Sequence, residues 1–115
     1  INCSLPGWEA CGTSDQRWAI NGRGNIAHPT GGPKEYGKEF EPTSGKGNLF
    51  FLSPYEPLTL YRKLKMYSDL YYGWVEEGDP KLLQLHMNSF ETGKRHDIVF
   101  MIEQYEKIFE KLLNR

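Results

Sequence analysis

Few of the 115 side chains belong to the types that do covalent chemistry. The thiols are Cys3 and Cys11, and the imidazoles are His28, His86 and His96. Cys11, His28 and Asp15 supply the residue types of a nucleophile, a base and an orienting carboxylate. No nucleophile elbow, phosphate-binding glycine loop or pair of metal ligands accompanies them, and the histidines are scattered. A non-catalytic protein without a metal or cofactor of its own is therefore expected. Cys3 and Cys11 are close enough in sequence to close a short disulfide loop, as in an oxidising compartment, or to remain two thiols. The basic side chains offer recognition chemistry instead. Arg62 carries a planar fork of donors that suits a phosphate or carboxylate. Lys63 and Lys65 flank it, and Lys94 and Arg95 form a second patch.

Composition narrows the class. Charged residues make up 25% and hydrophobic residues 38%, the balance of one soluble, globular domain. The net charge of −1 supplies no field for non-specific nucleic-acid binding. No apolar run reaches the ~18–20 residues that span a bilayer, so no transmembrane segment is expected. A first residue of Ile1 suggests a processed or trimmed start, which leaves room for a removed targeting sequence.

The chain divides at about residue 53. Residues 1–53 hold nine of the twelve glycines and four of the seven prolines, and they show no long apolar periodicity. Their five basic and five acidic side chains cancel, yet Trp8, Trp18, Tyr36, Phe40, Phe50 and Phe51 are spread along them. Disordered tails are poor in aromatics. The expectation is an extended, largely irregular segment that wraps along a surface, anchored by those rings. Asn48–Leu52 is apolar enough for a strand, but with no evident second strand it reads as a lead-in. Residues 54–115 carry three helical patterns. In the first, Pro57 to about Glu77, Leu60, Leu64, Tyr67, Tyr71 and Trp74 recur at helical spacing. Ser53 and Glu56 fit a capping box before it. Gly78-Asp79-Pro80 breaks it. The second helix, Pro80–Phe90, is apolar around more than half its circumference, as for a central helix touched on two sides, and Thr92-Gly93 ends it. The third, Lys94–Asn114, bears a stripe of Ile98, Met101, Ile102, Tyr105, Ile108, Phe109 and Leu112. The fold class expected is all-α: an up-down-up three-helix bundle preceded by the irregular segment. About sixty residues make a marginal core, so the N-terminal segment, a ligand or a partner should contribute.

The helical half resembles the LYR-motif family, the small three-helix proteins of mitochondria that include complex I LYR-type subunits. Leu60-Tyr61-Arg62 lies near the start of the first helix, Phe90 near the end of the second, and Asp97 opens the apolar run Ile98-Val99-Phe100-Met101-Ile102. Glu91 stands where the family is usually basic, and the second helix keeps only Lys81 of its usual positive charge. The resemblance implies an accessory subunit or assembly factor of a respiratory complex. Its place would be the matrix side, peripheral to the inner membrane and beside larger subunits. Its partner would be the mitochondrial acyl carrier protein, whose acylated phosphopantetheine enters between the helices. Docking would fall to Leu60, Tyr61, Arg62, Lys63, Lys65, Phe90, Lys94 and Arg95. The acyl chain would be lined by Leu64, Tyr67, Leu83, Met87, Met101, Ile102 and Tyr105. The rival expectation is a thylakoid-lumenal or secreted helical stabiliser stapled by Cys3–Cys11.

Overall fold

The longest helix is where sequence and structure agree best. In the computed structural model, which describes residues 1–5, 7–8 and 13–114, a 21-residue helix covers Pro57–Glu77. Pro57 starts it, where a missing N–H costs nothing. The capping box does not form: Glu56 is the N-cap and makes no side-chain cap bond. At the other end Gly78 adopts a left-handed φ of 70°, and its N–H and that of Asp79 close on Trp74 and Gly73 carbonyls.

In chain order the elements are α1 (Ser14–Ile20), β1 (Ile26–Ala27), α2 (Gly32–Tyr36), β2 (Phe50–Phe51), α3 (Pro57–Glu77), α4 (Lys81–Lys94) and α5 (Ile98–Leu113). The protein is mostly helical, with a small two-stranded sheet. β1 and β2 run parallel, with Ile26 opposite Phe50 and Ala27 opposite Phe51. The partner strand that the sequence did not reveal is therefore Ile26–Ala27, two residues framed by Gly24-Asn25 and His28-Pro29.

One core holds the body together. Ile26, Phe40, Phe50, Leu52, Leu70, Leu82 and Leu85 are buried together, and Leu60, Met66 and Tyr67 pack against them. Four of those seven come from before residue 53 and three from α3 and α4. The first half thus supplies the apolar surface that α3 and α4 lack by themselves. Phe40 and Phe50 are the rings that anchor it, meeting edge to face at 5.9 Å. Trp8 is 89% exposed, and Trp18 on α1 is about half exposed at 47%.

α4 runs past both proposed stops. Gly93 lies inside it and is buried, because α1 crosses there: a Cβ on Gly93 would come within 2.6 Å of the Ala19 carbonyl carbon. The glycine is a packing notch and not a terminator. Ser89 on the same face donates to the Arg23 carbonyl at 2.8 Å. Leu82, Leu85, Ser89 and Gly93 are buried, whereas Leu83, Met87 and Phe90 on the opposite face are exposed. α4 is covered on one side, not two. α5 starts at Ile98, after Arg95–Asp97, where the Asp97 carboxylate accepts from the Val99 N–H. None of its residues is buried, so α5 does not join α3 and α4 in the expected three-helix bundle.

Two alanine substitutions separate these roles. Gly93→Ala should destabilise the protein by about 2 kcal/mol, since backbone must shift to admit the methyl. Gly73→Ala, whose Cβ would meet only the Asp79 side chain at 3.6 Å, should stabilise it by about 0.5–1 kcal/mol. Urea unfolding of both variants checks the pair.

Candidate functional site

The exposed surface is unusually rich in large apolar side chains on the three long helices. On α5, Ile98, Met101, Ile102, Tyr105, Ile108, Phe109, Leu112 and Leu113 fall within about 140° of the helix circumference, a core-facing width. Ile98 is 65% exposed and Met101 49%. Tyr105 and Phe109 stack on one another at 6.3 Å with no third ring from the body. The polar face of α5 carries Glu103, Glu106, Glu110, Lys107 and Lys111, a mixture that gives no attraction to an anionic lipid surface. On α3, Leu64, Tyr71, Trp74 and Val75 are exposed, and on α4 Leu83, Met87 and Phe90. The sites expected to line an acyl chain are thus all at the surface except Tyr67. That ring is half-buried against the core, and its hydroxyl is 2.8 Å from His86 Nε2. Burial pushes the Tyr67 phenol up, with Arg23 and the Gly24 backbone pulling against it. Burial, then the charge of Arg23, pushes His86 down.

The expected docking residues divide into free and committed groups. Arg62 is exposed and makes no ion pair among the described residues. Tyr61 beside it is 66% exposed, and Leu60 is half-buried against the core. Lys63 is committed: its ammonium sits 2.5 Å from Glu39 and 5.8 Å from the Phe50 ring centre. The other oxygen of Glu39 accepts from the Phe51 N–H, so this pair ties α3 to β2. Lys65 pairs with Asp69 at 2.8 Å and Lys94 with Glu91 at 2.7 Å, both at the surface. Such exposed pairs are screened by water and exchange readily for another partner. Lys94 also lies over the Phe90 ring. Arg95 faces a separate polar groove, shared with Tyr36 and His96.

The residues weighed as a nucleophilic set do not assemble among the described residues. Cys11 lies outside them, as does any pairing it makes with the exposed Cys3. His28 packs edge-on against Tyr55 at 5.0 Å. Asp15 is buried in α1 and accepts a short hydrogen bond from the Tyr36 hydroxyl. Sequence reading missed this pair, because its partners lie 21 residues apart on two short helices that periodicity does not reveal. Burial, then the hydrogen bond to Asp15 and its negative charge, pushes the Tyr36 phenol far above its ordinary value. No group of three or more His, Cys, Asp or Glu able to hold a metal occurs among the described residues, and no described helix is long and apolar enough to cross a membrane.

Comparison with family models, with characterised proteins and with solved structures finds no match to this chain.

The Tyr36–Asp15 bond predicts a pH dependence with a definite sign. The phenol stays protonated in the folded state, while the unfolded phenol ionises near pH 10. The stability it contributes is present below that pH and is lost as pH rises above it. Tyr36→Phe should cost about 2 kcal/mol at neutral pH by leaving a buried carboxylate without its donor. It should also flatten the fall in stability above pH about 10. Chemical denaturation across that range measures both.

Proposed function

We propose that this chain is a non-catalytic docking subunit. In this reading it is an accessory or assembly component of a mitochondrial respiratory complex, peripheral to the inner membrane on the matrix side, and it receives an acyl carrier protein on its C-terminal helices. The observation that carries the reading is α5: a helix of 16 residues with an apolar stripe and no buried side chain. Burying a large apolar side chain fully is worth ~1.5–3 kcal/mol, so eight half-exposed ones offer on the order of 8 kcal/mol gross. Association costs about 4–15 kcal/mol. Apolar burial by α5 alone is therefore marginal, and a productive partner must add apolar surface on α3 and α4 or opposite charge.

An acidic carrier bearing an acyl chain supplies both. Arg62 is unpaired among the described residues, and Lys65 and Lys94 hold their intrachain partners weakly, so three cations are available to acidic side chains or a phosphodiester. Lys63 is not, because Glu39 and β2 hold it. An acyl chain against Leu64, Leu83 and Met87 gains ~0.8 kcal/mol per buried CH₂. Closure of α5 over that chain, with Met101, Ile102 and Tyr105 inward, completes the three-helix bundle in the bound state. The resemblance at Leu60-Tyr61-Arg62, Phe90 and Asp97 gives the carrier its identity in this reading.

Native mass spectrometry of the protein purified from its own cells is the test. A complex with an acylated carrier is expected. Arg62→Glu combined with Lys94→Glu should abolish it. Ile102→Asp should abolish it too, while changing the stability of the isolated protein by no more than about 0.5 kcal/mol, since Ile102 touches no core. Wild-type protein that carries no such partner would overturn the proposal.

A further inference from the structure

The polar groove beside α4 is a second candidate site, independent of the apolar helices. Its walls are the end of α2 with Lys38, residues 44–48, and one face of α4 from Gln84 to Thr92 with Arg95 and His96 just beyond, and its volume is about 820 Å³. Sites for small molecules fall in the range of about 300–1,000 Å³.

The floor of the groove is fixed, and its neutral polar groups are already spent. The Asn88 amide donates to the Gly45 and Gly47 carbonyls at 2.8 and 2.7 Å. Asn48, buried, accepts from the Lys38 N–H and donates to the Tyr36 carbonyl and the Thr92 hydroxyl. Gln84 donates to Asn88, Ser44 to Glu41, and the Tyr36 hydroxyl to Asp15. Gly47, with φ 93°, brings the turn so close to Glu39 and Phe40 that no side chain fits there. The turn is thereby held against α4.

What remains on the walls is charged, with cations in excess. Lys38, Lys46 and Arg95 line the groove and form no ion pair among the described residues. Two carboxylates share the lining, Glu35 and Glu91, the second in a surface pair with Lys94 at 2.7 Å. The lining thus holds three cations and two carboxylates, in a chain whose net charge is −1. His96 bonds through Nδ1 to the Thr92 carbonyl, and its ring packs edge-on against Tyr36 at 4.7 Å. An excess of cations along a concave wall favours anionic ligands. A guanidinium fork and two ammonium groups that line one groove suit the oxygens of a phosphate ester.

We propose that this groove binds a small phosphate ester carrying at least two negative charges, through Lys38, Lys46 and Arg95, with the edge-to-face Tyr36–His96 pair as the aromatic wall for an attached ring. ADP and inorganic pyrophosphate are the probes, followed by the amide resonances of the full chain. Either probe should shift Gly45–Asn48 and Arg95–His96 in a saturable way, and tighter binding of ADP reports use of the aromatic wall. Lys38→Glu and Lys46→Glu leave the Leu60–Arg62 surface untouched, and each should weaken binding at least tenfold. Lys65→Glu makes the same charge change outside the groove and should leave binding unchanged. Lys46→Ala, with a smaller loss in the same direction, replaces either reversal that fails to fold. Absence of shifts in the groove with both probes, or an equal loss in Lys65→Glu, overturns the proposal.

Discussion

The fold depends on one small apolar contact, where Phe40 and Phe50 from the first half of the chain meet Leu70, Leu82 and Leu85 from α3 and α4. Phe50 and Leu85 are completely buried. Neither half has enough apolar surface to close this core alone. The parallel strand pair, the Glu39–Lys63 ion pair and the crossing of α1 at Gly93 all press the first half onto one side of the α3–α4 hairpin. The opposite side of the hairpin, with Leu83, Met87 and Phe90, is left exposed, and so is α5.

That asymmetry sorts the charges as well. Cations on the covered side serve the fold, as Lys63 does between Glu39 and the Phe50 ring. Cations on the open side are free or loosely paired, as Arg62, Lys65 and Lys94 are. Lys38, Lys46 and Arg95 belong to neither group and converge on the groove beside α4. Two surfaces of different chemistry result, one apolar and helical, the other polar and concave. They draw on different elements and can be tested apart.

The sequence is legible where periodicity is long and punctuation is strong. α3 shows both: a stripe over about four turns, a proline at its start and a glycine–proline break after it. α4 is right in kind but short by a turn, because Gly93 looks like a stop when only local propensity is considered; the crossing helix that requires it is 70 residues away in sequence. α1, α2 and β1 are too short to carry a period, and nothing local marks Ile26–Ala27 as the partner of Phe50–Phe51. The α5 stripe reads correctly as an amphipathic helix, but the face expected inside a bundle is exposed. Periodicity marks an apolar face and not what covers it, so the sequence places in a bundle a helix with no buried residue. Lys63 shows the same limit for charge, since only the fold reveals that Glu39 waits for it.

An isolated helix of 16 residues is marginally stable in water unless something packs on it. Hydrogen exchange along α5 therefore addresses the central claim most directly. In the isolated protein the α5 amides should exchange nearly as fast as those of an unfolded peptide, while α4 amides around Leu85 and Ser89 exchange slowly; an acylated carrier protein should slow α5 towards α4. An α5 that is already as protected as α4 in the isolated monomer would contradict the account, because its stripe would then be buried within the chain.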